Sequence, residues 1–110
     1  MSVKITVNGD VVTAYLDGEI DHHSAGVMRN EIDAVVEKNT PAMLILDFRD
    51  VSFMDSSGIG LVMGRYKLIS EFGGDLEVTG LSSNAYKVMR LAGIDRIANV
   101  KKGGETNGNK

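Results

Sequence analysis

The run Met43-Leu44-Ile45-Leu46, followed after a short link by Phe53-Met54-Asp55-Ser56-Ser57-Gly58-Ile59-Gly60, decides how this chain folds. The first four residues are continuously apolar, as a central strand covered on both faces requires. Beyond the loop, Ile59, Val62, Met63, Tyr66, Ile69 and Phe72 recur at helical spacing. Gly73-Gly74 closes that helix. Val51 and Phe53 read as a short linking segment. A buried strand therefore delivers Asp55, Ser56 and Ser57 to the start of a helix. Backbone N–H groups there have no partners within the helix and carry partial positive charge. Such a place accepts an anion. A serine at it is either a simple cap or a residue placed to carry a phosphate.

Working outward, Val3, Ile5 and Val7 alternate with polar residues, and so do Val12, Ala14 and Leu16. Asn8-Gly9 between them predicts a hairpin turn, and Asp17-Gly18-Glu19 breaks the pattern. A helix starts near Asp21 or Ser24, both suitable caps. Ala25, Met28, Ile32, Val35 and Val36 form its inner face, with Arg29, Asn30, Asp33, Glu37 and Lys38 outside. Thr40-Pro41 ends it. Leu76, Val78 and Thr79 suggest a further strand. Ser82 or Ser83 caps a third helix with Val88, Leu91 and Ala92 facing inward, and Gly93 closes it. Residues 97–100 read as a last short strand. Strand–helix–strand crossovers after an opening hairpin imply an α/β fold with a mixed sheet, helices packed on it. The expected organisation is one domain over residues 1–100 and a flexible polar tail over 101–110.

The composition narrows the chemistry. The chain of 110 residues has no cysteine, which excludes disulfides, thiolate catalysis and cysteine-ligated zinc. A net charge of −3 argues against nucleic-acid or anionic-membrane partners. No apolar run approaches a membrane span, and the chain opens on a strand-like pattern rather than a leader, so a cytoplasmic protein is expected.

Several sites can be weighed on their residues. Gly58, Gly60 and Gly64 invite a dinucleotide reading, yet Met63 occupies the position of the third small residue. The glycines also fall inside the helix, where close helix–sheet packing explains them. A nucleophile elbow needs glycine two residues before the serine, and Met54 and Asp55 stand there instead. His22-His23, being adjacent, point to different sides and lack a third ligand, so no metal is expected. Asp21 and Asp55 both follow strands and precede helices, which gathers them at one sheet edge, where sites usually lie. A phosphate on a serine at this helix start would be tolerated by the fold. Its effect would fall on a partner docked over the helix start.

Gly18-Glu19-Ile20-Asp21-His22-His23, the Asp55-Ser56-Ser57-Gly58 loop and Gly64-Arg65-Tyr66-Lys67 resemble the anti-sigma factor antagonists of the STAS domain family. The likeness spans about residues 3–100 and is nearer to the sporulation branch than to general-stress or transporter relatives. The resemblance implies a non-enzymatic switch. Ser56 matches the serine phosphorylated by an anti-sigma factor that is itself an ATP-dependent serine kinase. The unphosphorylated antagonist binds that factor and frees the sigma factor, phosphorylation breaks the complex, and a serine phosphatase resets it. Asp21, Asp55, Ser57, Gly58 and Ile59 fall on the implied partner surface, with no cofactor. Family members often carry a further amphipathic helix after the last strand, and Lys101-Lys102-Gly103-Gly104 offers no such pattern. The alternatives are a small-ligand or nucleotide-binding domain using the same helix start, and a general-stress antagonist sharing fold and switch.

Overall fold

The computed structural model describes residues 2–103. The opening alternation folds as a hairpin of β1 (Ser2–Asn8) and β2 (Val11–Ile20), with Val3, Ile5 and Val7 opposite Leu16, Ala14 and Val12. Asn8 still pairs with Val11, so the turn residues are Gly9-Asp10 rather than Asn8-Gly9. Gly9 has φ +61, and a positive φ at the first turn residue is what a type II′ hairpin requires. Parallel strands follow in the order met along the chain: β3 (Met43–Met54), β4 (Asp75–Leu81) and β5 (Asn99–Lys102). The crossovers carry α1 (His22–Asn39), α2 (Ser56–Glu71) and α3 (Ser83–Leu91), and a single 3₁₀ turn at Ile94–Arg96 leads into β5. The mixed sheet with an antiparallel opening is the expected architecture.

Because each new strand lies beside the last, right-handed crossovers place the helices on one face. The inward alternates Val12, Ala14, Leu16, Leu44, Leu46, Phe48, Leu76 and Val78 are buried there with Met28, Ile32 and Val36 of α1 and Leu61, Val62 and Ile69 of α2. The opposite alternates Thr13, Tyr15, Ile45 and Glu77 are only half-buried. Among the described residues no helix covers that face, so β3 is not enclosed on both sides as its apolar run suggested. Its apolar continuity reflects Met43 and Ile45 packing beside strand neighbours rather than under a second layer.

Both β2 and β3 run longer than their patterns indicate. Gly18, at φ +88, carries β2 through the Asp17-Gly18-Glu19 break by a shift in register. Val51 and Phe53 belong to β3, which stays paired with β2 out to Ile20↔Met54 although β4 pairs with it only to Asp47↔Thr79. The two strands thus form a two-stranded arm beyond the shared sheet, and the loops at its tip stand clear of β4. At the point where β4 parts from this arm, Gly80 has φ +74, and a Cβ there would lie 2.7 Å from Asp47 Oδ1 and 2.8 Å from the Arg49 nitrogen. Only glycine meets both conditions.

The helices hold two corrections. In α2 the buried residues are Gly58, Leu61, Val62, Arg65 and Ile69, while Met63 and Phe72 are 48% and 41% exposed. A guanidinium occupies the apolar stripe, so periodicity read from apolar residues alone tilts the face toward Met63. In α3, Met89 is buried with Ala85, Tyr86 and Val88 partly so, whereas Leu91 is 82% exposed and Ala92 is also exposed. Leu91 lies two positions past Met89, about 200° round the helix. Lys101 and Lys102 continue β5, and residues 104–110 of the expected tail lie outside the described residues.

Candidate functional site

The tip of the β2–β3 arm sets two helix N-termini side by side. The Asp55 N–H donates to the Ile20 carbonyl at 3.1 Å, tying the loop before α2 to the strand end before α1. Each helix is capped by its aspartate. Asp21 Oδ1 accepts from the Ser24 N–H at 2.9 Å, while Ser24 Oγ accepts from the Asp21 N–H at 3.0 Å, a reciprocal capping box. Ser24 Oγ also donates to the Glu19 carbonyl at 2.7 Å, locking the strand end to the first turn. Asp55 Oδ1 accepts from the Ser57 N–H at 2.7 Å. The helix α2 consequently begins at Ser56, earlier than the apolar pattern starting at Ile59 indicates.

This division of labour decides what Ser56 is for. Asp55 holds the cap, so the Ser56 hydroxyl is not needed for it. Ser56 is exposed and its hydroxyl makes no hydrogen bond among the described residues. It stands at the first helical position, in the partial positive field of unpaired N–H groups. Ser57 is half-buried and lines a groove between α1 and α2 with His22, Arg29, Gly60 and Gly64. Gly58 is buried, and a Cβ at this position would fall on the Met54 side chain. The packing explanation holds for Gly58 but not for Gly60 and Gly64, which face open space. Ile59 is half-buried against the core, so it fixes the position of the first turn more than it offers surface. His22 and His23 are both exposed at the start of α1.

The hydrogen bond from the Ser24 N–H holds the Asp21 carboxyl below its ordinary value of 3.8. A depressed folded value means that the carboxylate's stabilisation is present above the unfolded value and lost as pH falls through the lower folded one. We expect Asp21→Ala to melt below the parent at neutral pH, and the gap in Tm to close in acid below pH 3.8, as followed by circular dichroism.

Two further residues belong to the site's surroundings, although the sequence alone assigns them no role in it. Phe53 is 54% exposed and borders a notch of about 190 Å³ lined by Val51, Met54, Ser82, Ala85 and Val88. A hydrophobic ring so exposed one step before an acidic loop is a signal once Phe53 is placed on a strand rather than in a link. Arg65 is the second. Its Nε lies 2.7 Å from Asp33 Oδ1 of α1, without the alignment of a hydrogen bond, and its Nη1 donates to the Leu61 carbonyl at 3.3 Å. Burial lowers the guanidinium pKa, and the Asp33 charge opposes that shift. Asp33, expected on the solvent side, is thus the counter-charge that ties α1 to α2 below their N-termini.

The site thus lies at the carboxyl ends of parallel strands, where two helix N-termini meet. Residues 2–105 match the STAS domain model, and the chain belongs to the STAS domain family. The chain is 29% identical over 97 residues to the anti-sigma F factor antagonist of Paenibacillus polymyxa, covering 88% of this chain and 83% of that one. It is 30% identical over 113 residues to the anti-sigma-B factor antagonist of Listeria monocytogenes, covering 99% and 98%. Among solved structures it superposes on the anti-sigma factor antagonist SpoIIAA in its unphosphorylated form with TM-score 0.77 and 28% identity, covering 96% of this chain and 92% of that one.

Proposed function

We propose that this chain is an anti-sigma factor antagonist of the sporulation type, a cytoplasmic binding module with no catalysis of its own, switched by phosphate on Ser56. The observation that carries the reading is the free, exposed Ser56 hydroxyl at a helix start whose cap is already supplied by Asp55. Unphosphorylated, the surface formed by Asp21, Asp55 and Ser57, held in place by the buried Gly58 and the half-buried Ile59, docks an anti-sigma factor and so releases its sigma factor. Phe53 extends that surface with an apolar anchor. The docked factor is an ATP-dependent serine kinase that phosphorylates Ser56, and a serine phosphatase restores the binding form. The phosphate brings about −1.5 to −2 charge beside Asp55. The helix start accommodates that charge, but a closely packed partner does not.

The test is incubation with the cognate kinase and ATP followed by mass spectrometry. Phosphate on Ser56, absent from Ser56→Ala, is the expected result; phosphate on Ser57 alone contradicts the assignment. A general-stress role is the second reading, favoured by the likeness to the Listeria anti-sigma-B factor antagonist. It shares the switch and differs in the partner captured. Saturable thermal stabilisation by ATP or GTP without a partner would instead favour a nucleotide-binding domain.

A further inference from the structure

The outer side of α3 carries a surface of opposite sign to the chain as a whole. Lys87, Arg90, Arg96 and Lys102 line an open groove of about 530 Å³ with Asp95 as its single carboxylate, on a chain whose net charge is −3. At its centre is Tyr86, with the Arg90 guanidinium 5.8 Å and the Lys102 ammonium 5.7 Å from the ring centroid. Such pairs fix the cations over an aromatic face and leave their N–H groups outward. The one ion pair in the groove, Arg90 Nε to Asp95 Oδ2, is long at 3.8 Å, and both groups are exposed. Among the described residues, Lys87, Arg96 and Lys102 have no carboxylate partner. Leu91, 82% exposed, rises from the same helix.

We propose that this groove is a second docking surface, which takes an acidic protein segment bearing an aliphatic side chain. Charge complementarity names the occupant. Guanidinium and ammonium groups held apart over a ring present donors to several carboxylates, and Arg and Tyr are the residues that dominate protein interfaces. Leu91 supplies apolar contact at the rim. Duplex nucleic acid fits less well, because an acidic chain repels a phosphate backbone beyond the reach of four side chains. A membrane surface fits less well again, since one leucine on a chain of net −3 gives little insertion area and an unfavourable field. The groove uses the side of α3 facing away from the notch beside Phe53, which is lined by Ala85 and Val88. Docking here is therefore independent of phosphate at Ser56.

The test is amide chemical-shift mapping of the full chain, titrated with a peptide of Leu-Glu-Glu repeats. Its Leu-Gln-Gln counterpart, duplex DNA and phosphatidylglycerol vesicles serve as competing probes. The expected result is saturable shifts at Tyr86, Arg90, Leu91 and Lys102, weakened by salt. Binding should also be about tenfold weaker for the uncharged peptide and for the double variant Arg90→Glu, Lys102→Glu. Arg90 is exposed and Lys102 half-buried, and neither belongs to the core; Ser56→Asp should bind the peptide like the parent. Absent or scattered shifts, equal binding by the double variant, or tighter binding of DNA or vesicles would overturn the assignment.

Discussion

Ser56→Asp is expected to fold like the parent and to lose binding to the proposed anti-sigma factor kinase. The substituted side chain is exposed at the first position of α2, where a carboxylate meets unpaired N–H groups. Surface changes at such places alter stability by no more than about 0.5 kcal/mol. The partner interface is another matter. A charge enclosed there without a counter-ion costs about 2–5 kcal/mol, and Asp55 next to it adds like charge. Affinity should therefore fall roughly a hundredfold, with Tm nearly unchanged, by calorimetry and thermal melting in parallel. Ser56→Ala should bind as the parent does, because Asp55 and not Ser56 caps the helix. A Ser56→Asp variant that binds unimpaired would remove charge as the means of release.

Arg65→Ala is expected to be the most destabilising of the substitutions considered. The guanidinium side chain is 7% exposed and lies against Asp33, whose own side chain is 26% exposed. Removing one member of a buried pair costs about 3–5 kcal/mol. Asp33 is partly open to water and can rehydrate, which brings the expected loss to about 2–3 kcal/mol in urea unfolding. Replacing both members by apolar residues, Arg65→Met with Asp33→Leu, should recover most of that loss, since no buried charge is left alone. Recovery would mark the pair as a device that sets how α1 lies on α2. A double variant no better than Arg65→Ala would mean that the guanidinium stabilises by packing and by its bond to the Leu61 carbonyl.

The loop was legible in the sequence because capping is local. Asp55-Ser56-Ser57 needs only its own turn to form, and so does Asp21 with Ser24. The parallel order was legible because apolar runs alternate with helical spacing. What escaped depends on partners distant in the chain. Asp47-Phe48-Arg49-Asp50 looks like the end of a strand, yet pairing with β2 carries β3 through it to Met54. A charged residue in a helix reads as solvent-facing, and only the counter-charge on α1 makes Arg65 a core residue. Leucine reads as buried, and only the position of Met89 turns Leu91 outward. The open face of the sheet could not be read from Met43-Leu44-Ile45-Leu46, since strand neighbours and a covering layer favour the same residues.

Titrating the anti-sigma factor kinase with the chain before and after enzymatic phosphorylation, in a calorimeter, bears most directly on the switch. Saturable binding by the unmodified chain and none measurable by the phosphorylated one is expected, with both giving the same circular dichroism spectrum and Tm. Equal affinity in the two forms, or loss of binding only because the phosphorylated chain has unfolded, would contradict it.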